Sequence, residues 1–478
     1  MKNRLHIPRE GCMKVDVTVF GSPKILNMIE REALEQLKNG ACLPGVIGCA
    51  GMPDIHSGYG LPIGGVLAVD AQGDARADAH GGVISPGAVG VDINCGVRAV
   101  SVPAKAGEVR PYLEDLLKRT TSVVGTGVGG KTRSKLGKVR GKDFRRLIEG
   151  GVPMLQEMGY ATPSDVDHTE ERGILKPASL DHVGARAVER GEGQIGTLGS
   201  GNHFLEIQRV VEVYDPTVAA HLGLDLDQVC VMIHCGSRGF GEQICQDYMQ
   251  SMAKAMRRYG IEPPSKNLAC VPIDSPEGKA YFSAMACAAN FAWINRQVIL
   301  HEVRGVFASL LGLEDLRLIY DVAHNIAKFE TYDRRRVLVH RKGATRAFPP
   351  GHPSVPSDYR AIGQPAIIPG SMGTASFIVV GTEETLRQTW GSVNHGAGRV
   401  MSRAAALGHP RKGRPGLITE DQFRRSMEGI VYMSGSGENL LDEAPGVYKD
   451  SVEVVDSLAD IGLVRKIVKL MPLAVLKG

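Results

Sequence analysis

Five residues of metal-ligand type stand in short Gly- or Asn-rich contexts spread over more than two hundred positions. They are Asp92 and Cys95 in Gly90-Val91-Asp92-Ile93-Asn94-Cys95-Gly96, His203 in Gly199-Ser200-Gly201-Asn202-His203, His234 in Ile233-His234-Cys235-Gly236, and His324 in Ala323-His324-Asn325. A structural zinc site usually draws on close CxxC or HxxxH pairs, and no such pair is present. Ligands this dispersed meet only in a folded protein, so the set points to a catalytic metal site rather than a local clip. Carboxylate, thiolate and imidazole together suit a borderline ion such as zinc, manganese, iron or cobalt. A lone buried Cys is commonly just a small core residue, and a His at a strand end is commonly just hydrogen-bonded. Here one local pattern repeats, an apolar run that ends at a candidate ligand and is followed by a turn. Val229-Cys230-Val231-Met232-Ile233 runs into His234 and Gly236, and Leu316-Arg317-Leu318-Ile319-Tyr320 runs into His324-Asn325. Ligands at the mouths of several buried strands can converge on one site.

Two further segments carry phosphate chemistry. Ser392-Val393-Asn394-His395-Gly396-Ala397-Gly398-Arg399 sets a His in a Gly-rich loop, with Arg399 and Arg403 at i,i+4 on one face if a helix begins there. A neutral imidazole can attack phosphorus, and guanidinium groups can hold phosphates bidentately; a hydrogen-bonded loop histidine is the alternative reading. Gly125-Thr126-Gly127-Val128-Gly129-Gly130-Lys131-Thr132 fits the phosphate-cradling pattern GxxxxGK[ST] letter for letter. Its context does not fit: only Val123-Val124 precedes it, and Arg133-Ser134-Lys135-Leu136-Gly137-Lys138 after it lacks the apolar period of a helix. We read it as a basic loop that touches a polyanion.

The elements that must position these residues are strands and a few helices. Runs at 65–69, 97–102, 203–213, 229–233, 316–320 and 376–380 read as strands bounded by Gly or Pro turns. Ile244, Tyr248, Met252, Met256 and Tyr259 recur at helical spacing before Gly260, and this Met stripe reads as core. Ser275-Pro276 opens a long Ala-rich helix, with a break expected near Gly305. The predicted fold class is α/β (mixed α+β), one compact domain over residues 1–478 with a central metal site at strand ends. Neither a linker nor a low-complexity run divides the 478 residues, and no internal repeat is visible.

Composition sets limits. Apolar residues are 43%, aromatics 5% and glycines 59, which suggests a loop-rich protein with a large aliphatic core. No apolar stretch reaches membrane-spanning length and no h-region occupies the first thirty residues, so a soluble, cytoplasmic chain with no membrane partner is expected. Nine cysteines without paired spacing fit a reducing compartment. The net charge of +4 is uneven. Lys131, Arg133, Lys135, Lys138, Arg140, Lys142, Arg145 and Arg146 stand against Asp143 alone, and without that segment the balance is 48 basic to 51 acidic, or −3. Further basic clusters run from Arg334 to Arg346 and through Arg399, Arg403, Arg411, Lys412 and Arg414. Such runs are usually solvated faces, but beside a phosphate-handling site they favour nucleic acid.

Six motifs in order carry a resemblance. They are Met52-Pro53-Asp54-Ile55-His56; Gly87-Ala88-Val89-Gly90-Val91-Asp92-Ile93-Asn94-Cys95-Gly96; Gly196-Thr197-Leu198-Gly199-Ser200-Gly201-Asn202-His203-Phe204; His234-Cys235-Gly236-Ser237-Arg238-Gly239; Tyr320-Asp321-Val322-Ala323-His324-Asn325; and Asn394-His395-Gly396-Ala397-Gly398-Arg399. Together they resemble the RtcB family of GTP-dependent RNA ligases, from about residue 20 to Gly478. The resemblance implies that Cys95 bridges two manganese ions, one completed by Asp92 and His203, the other by His234 and His324. It implies that His395 accepts GMP from GTP. It also implies guanylate contacts from Asn202, His203, Phe204, Glu206, His324, Asn325, Pro369, Gly370, Ser371, Met372, Ser376, Gly396, Ala397, Gly398 and the penultimate Lys477. Arg238, Lys342, Arg399 and Arg403 are similar to the family's phosphate-facing residues, and Asp54 to a further active-site acid.

The implied reaction joins RNA 3′-phosphate or 2′,3′-cyclic phosphate ends to 5′-hydroxyl ends, in tRNA splicing or RNA repair, with archease as an activating partner in some relatives. One position departs: Glu242 stands where relatives commonly have His. Two rival functions remain open at this stage. A metal-dependent phosphodiesterase would use the same ligands without His395 or Lys477, and a catalytically silent RNA-binding protein would need only the basic clusters.

Overall fold

The computed structural model describes residues 3–72, 81–127, 129–409, 414–435, 437 and 439–478. Two sheets carry the site. The first is ordered Arg4–Ile7, Val17–Phe20, Val46–His56, Ile63–Asp70, Arg335–Lys342 and Asn325–Tyr332. The second is ordered Arg317–Ala323, Gly96–Lys105, Gln228–Cys235, Phe204–Val213, Val464–Lys477, Ser376–Gly381 and Pro365–Ile368, with Val431–Ser434 also paired to Val464–Lys477. Within these two sheets only Val17–Phe20 on Val46–His56 and Val431–Ser434 on Val464–Lys477 are parallel. The protein is therefore mixed α/β with mainly antiparallel sheets, as predicted. Every strand read from the sequence lies within or overlaps an observed one.

Gln228–Cys235 shows why its sequence is apolar without alternation. Val229, Val231, Ile233 and Cys235 enter one core cluster, while Cys230 and Met232 point to the other face and a second cluster. Successive side chains of a strand face opposite ways, so a strand covered on both faces must be apolar throughout.

The helix Pro276–Leu311 is the spine of the molecule. Ser275 caps it by accepting from the Gly278 N–H, and Gly312 ends it in the left-handed conformation at φ 68°. Its 36 residues span about 54 Å at 1.5 Å per residue. Contrary to expectation it does not break near Gly305. An isolated helical Gly costs about 1 kcal/mol against Ala, and the burial of Val303, Val306 and Phe307 around it outweighs that. The Met-bearing segment also behaves as predicted: helix Arg238–Ala255 runs into the short 3-10 turn Met256–Tyr259, and Gly260 closes it at φ 62°.

One cysteine pair departs from the unpaired pattern read in the sequence. Cys12 and Cys42 form a disulfide across 30 residues. The pairing was invisible in the spacing because folding creates it: Lys14 N–H donates to the Ala41 carbonyl at the end of helix Arg31–Ala41, laying the two segments together. The other seven cysteines are free and buried. Among the described residues no helix is long and apolar enough to cross a membrane. Arg411 and Lys412, part of the third basic cluster, lie outside the described residues.

Candidate metal and nucleotide site

Buried polar groups on the long helix build the ligand cluster. Arg296, fully buried, donates to the Asn94 carbonyl (2.8 Å), the Asn94 side chain (3.0 Å) and the Cys235 carbonyl (2.7 Å), while Asp321 neutralises it at 2.7 Å. Asn295 accepts from the Gly196 and Thr197 amides and donates to Cys235 Sγ at 3.0 Å. Two neighbouring side chains thus fix the turns that carry Asp92 and Cys95, His203, and His234. His324 N–H donates to the Cys95 carbonyl at 2.6 Å, and the Asn325 side chain to the Asp92 carbonyl at 3.0 Å. The paired polar groups are satisfied, so this framework is rigid.

The five candidate ligands converge. Ligand atoms of Asp92, Cys95 and His203 all lie within 4.8 Å of one another. Cys95 Sγ is 3.5 Å from His203 Nε2 and 3.2 Å from His234 Nε2, so the thiol stands between two imidazoles. His203 Nε2 is 2.9 Å from Asp92 Oδ2, and the other Asp92 oxygen accepts from Ser237 N–H at 3.0 Å. A side chain at Gly236 would collide with the Asp92 carboxylate, which explains the Gly after Cys235. The His324 ring lies 5.7 Å from His234 and 5.4 Å from His395. Burial, together with neighbouring positive charge, holds His234 and His324 well below the usual imidazole range, in the neutral form that ligates metals. Burial and the nearby Asp92 charge push the Cys95 thiol up to about 11, so a thiolate here requires a cation beside it.

The residues fit a metal. Nδ1 of His234 and both ring nitrogens of His324 are buried without a hydrogen-bond partner. Native structures seldom leave such groups unpaired, and these sit in a set of N, O and S donors of the kind borderline ions take.

A cleft of about 260 Å³ opens on one side of this cluster. It is lined by the predicted Asn202, Phe204, Pro369, Gly370, Ser371, Met372, His395, Gly396, Ala397, Gly398, Arg399, Arg403 and Lys477, with His234 at its metal end. Asp54 Oδ2 meets His395 Nδ1 at 2.6 Å and accepts from the His395 and Gly396 amides at 3.0 and 3.2 Å. Burial would raise the Asp54 carboxyl, but His395 and Lys449 outweigh it and hold it low. Asp54 therefore keeps the Nδ1 proton in place and leaves Nε2 of His395 free to react. Gly398, at φ 76°, lies so close that a Cβ would stand 2.8 Å from the Asp54 Cα.

Sequence reasoning missed Glu443 and Tyr448, which also line the cleft. Glu443 gathers Arg403 at 2.8 Å, Lys477 at 2.9 Å, Arg399 at 3.3 Å and the Tyr448 hydroxyl at 2.6 Å. Burial works against its charge, but Lys477 and Arg403 prevail and hold its carboxyl at about 2. Arg399 and Arg403 thus meet, though not as expected on one helix face: the helix Arg403–Leu407 starts only at Arg403, capped by Ser402. No motif in the sequence marked Glu443, because its role comes from tertiary convergence.

Several predicted residues lie behind the cleft wall. Glu206 is buried at 1% exposure, takes one bond from Gln208 at 2.5 Å and leaves Oε1 without a partner. Burial pushes its carboxyl up to about 7, against Gln208 and Lys477. Ser376 Oγ accepts from Gln208 and from the Gly370 amide, bracing the 369–372 loop. Asn325 is engaged with the Asp92 carbonyl and the Gly343 amide. The buried Lys342 amino group donates to the Tyr59 and Gly87 carbonyls and is not among the cleft-lining residues; burial brings it down to about 8.

A second cleft of about 360 Å³ reaches the cluster through Asp92 and is lined by Arg190, Gln194, Ser200, Arg238, Gly129 and Glu242. Arg238 reaches toward His203 Nδ1 and the Gly127 carbonyl, both at 3.5 Å. Glu242 is paired with Arg190 at 2.7 Å. The loop matching the phosphate-cradle pattern is not one here. Gly127, Gly130 and Thr132 spend their amides on the carbonyls of Gly199, Gly127 and Gly193, and among the described residues after the loop the first α-helix is Gly141–Glu157. Val128 lies outside the described residues.

Comparison with known proteins agrees with this picture. The family model described as "tRNA-splicing ligase RtcB" matches residues 36–478. A relative of that name from Archaeoglobus fulgidus is 44% identical over 475 residues, 98% of this chain and 95% of its own length. One from Methanococcus maripaludis is 44% identical, covering 99% of this chain and 97% of itself. The "RNA-splicing ligase RtcB" of Mycobacterium tuberculosis is 44% identical over 93% of this chain and 100% of its own.

Proposed function

The chain belongs to the RtcB family of tRNA-splicing ligases, and from that membership and the site's geometry we propose a GTP- and manganese-dependent ligase that joins RNA 3′-phosphate or 2′,3′-cyclic phosphate ends to 5′-hydroxyl ends. At the coarser level it is an RNA ligase. The observation that carries the finer reading is the 2.6 Å contact of Asp54 with His395 on the wall of a cleft that ends at the ligand cluster. We read residues 1–478 as one ligase unit acting in the cytoplasm.

Asp92, Cys95, His203, His234 and His324 would hold two manganese ions, which supply Lewis-acid neutralisation of phosphate charge. His395 Nε2 forms a bond to the α-phosphorus of GTP as the bond to pyrophosphate breaks, and Asp54 steadies the positive charge that grows on the ring. Arg399, Arg403 and Lys477 exchange part of their pairing with Glu443 for the nucleotide's phosphates. Asn202 and Lys477 receive the guanylate in the cleft, with Ser376 bracing its wall and Glu206 holding its unpartnered oxygen just behind that wall. A 3′-phosphate oxygen of RNA then attacks the histidine-bound phosphorus, the N–P bond breaks, and the RNA end carries a diphosphate link to guanosine. The 5′-hydroxyl of the second RNA attacks the 3′-phosphorus, loses its proton to solvent, and expels GMP. A bare phosphate monoester is a poor electrophile, so this activation supplies the leaving group.

The second cleft, lined by Asp92, Arg190, Arg238 and Gly129, the last in the loop that leads into the basic 131–146 segment, is the side from which RNA reaches the cluster in this reading. Contacts there go to backbone phosphates, so little base readout is expected. Glu242 neutralises Arg190 within that cleft and trims its positive charge.

The test is a joining assay with a 3′-phosphate and a 5′-hydroxyl oligonucleotide, in which the 3′-phosphate is radiolabelled. The account predicts a joined product that retains the label at the junction, only with GTP and manganese. Hydrolysis without joining would instead identify a metal-dependent phosphodiesterase. Binding without any turnover would identify a silent RNA-binding protein.

A further inference from the structure

The strand Val46–His56 leaves its ladder where it reaches the cleft. Gly51 pairs with Gly65 and His56 with Ile63, so five steps along one strand face two along the other and residues 52–55 bulge outward. A bulge frees backbone carbonyls from their ladder partners, and a buried carbonyl needs another donor. The Asp54 carbonyl finds one in the His56 ring nitrogen at 2.8 Å. The carbonyls on either side of Asp54 find theirs in one residue: Lys449 Nζ lies 2.9 Å from the Pro53 oxygen and 2.7 Å from the Ile55 oxygen. Lys449 is buried, 3% exposed.

The same residue is stitched to the other half of the site. Its backbone N–H donates to the Gly398 carbonyl at 2.8 Å, and Val400 N–H donates to the Val447 carbonyl at 2.9 Å, so the 447–449 segment runs along the loop that carries His395. Asp54 and His395 are 341 residues apart in the chain, and their 2.6 Å contact depends on two backbones that share no sheet ladder. Lys449 holds both.

We propose that Lys449 is a positioning residue for the nucleotidyl-transfer step: it clamps the Asp54 bulge against the His395 loop, so that the carboxylate aims the imidazole into the cleft. The inference rests on the reading of His395 as the nucleophile. A cation suits the task better than a neutral donor, since bonds from an ammonium to carbonyls are stronger and its charge also favours the ionised carboxylate between them. Lys449 is not among the residues lining the nucleotide cleft, so its loss acts on the rate of transfer and not on nucleotide capture.

The experiment is single-turnover labelling of the full chain with α-labelled GTP and manganese, for the parent, Lys449→Met, Lys449→Arg, Asp54→Asn, His395→Ala and the double variant Lys449→Met with Asp54→Asn, each with a thermal melt. Lys449→Met is expected to slow labelling about 10- to 100-fold, the scale of a small misplacement of a reacting group, with half-saturation by GTP changed by no more than about twofold. The double variant is expected to be no slower than Asp54→Asn alone, because the lysine acts through that carboxylate. Lys449→Arg, which keeps charge and donors, is expected to recover part of the rate. Should Lys449→Met be unfolded, Lys449→Gln takes its place in the cycle. Rate losses that multiply in the double variant would mean independent damage and overturn the proposal. So would parental labelling in Lys449→Met beside a crippled Asp54→Asn. Normal labelling in both Asp54→Asn and His395→Ala would instead remove the underlying reading, and the proposal with it.

Discussion

Glu206→Gln should stabilise the nucleotide-free protein while crippling its use of GTP, and the stabilisation should depend on pH in a defined direction. The Glu206 carboxyl is buried with one oxygen unpartnered, and burial lifts it from a usual value of 4.5 to about 7. Each unit is worth about 1.4 kcal/mol, so holding this group ionised costs on the order of 3 kcal/mol once the pH exceeds about 7. Because the folded value is raised, the cost is absent below about 4.5, where both states are protonated, and grows as pH rises through the window from 4.5 to 7. A glutamine does not titrate. Its unpaired amide carries a fixed penalty that cancels when two pH values are compared. The difference in melting temperature between variant and parent should therefore widen in the variant's favour by roughly 3–5 °C from pH 4.5 to pH 8, taking the entropy scale of a chain this long. Differential scanning fluorimetry without nucleotide measures it. A difference that stays flat across that range would refute the buried-charge argument. Adding GTP completes the test: the parent should gain stability from the ligand and the variant should not.

Bound manganese counted at saturation should fall further in Cys95→Ala than in His324→Ala, because in the proposed site a thiolate between two imidazoles would serve both ions; two ions kept at normal affinity by Cys95→Ala would rule out the bridge. Lys131→Ala should leave labelling by GTP intact and weaken joining, with the salt dependence of RNA binding reduced by about 0.7 in slope. Collapse of labelling in that variant would restore the phosphate-cradle reading of the 125–132 loop. Arg296→Met should cost about 2–4 kcal/mol of stability, measured by denaturant melts, since it leaves the buried Asp321 paired with Arg98 alone and releases the Asn94 turn.

The strands and the ligand types were legible in the sequence because local rules govern them. A strand covered on both faces must be apolar, as Val229 to Ile233 is, and a turn that carries a ligand shows its Gly or Asn, as Asn94 and Gly236 do. The repeated run-to-turn pattern pointed to one shared site, but which ligands stand side by side was legible only through the resemblance, since nothing local says that Cys95 lies between His203 and His234. Residues that act through tertiary contacts stayed hidden. Arg296, Asn295 and Glu443 sit in helix or loop sequence of ordinary character, and their importance is a matter of what they reach. Gly305 misled for the same reason: its local preference to break a helix was overruled by packing around Val303 and Phe307. The Cys12–Cys42 disulfide likewise joins segments that only the fold brings together.

The central claim is that His395 becomes covalently attached to GMP. The most direct measurement is incubation of the full chain with manganese and GTP labelled at the α-phosphate, followed by denaturing electrophoresis and peptide mapping, for the parent and His395→Ala. The account predicts a labelled protein whose bond is broken by acid and survives base, as a phosphoramidate should, mapped to the peptide holding Asn394-His395-Gly396 and absent from the variant. A label that persists undiminished in His395→Ala would contradict it.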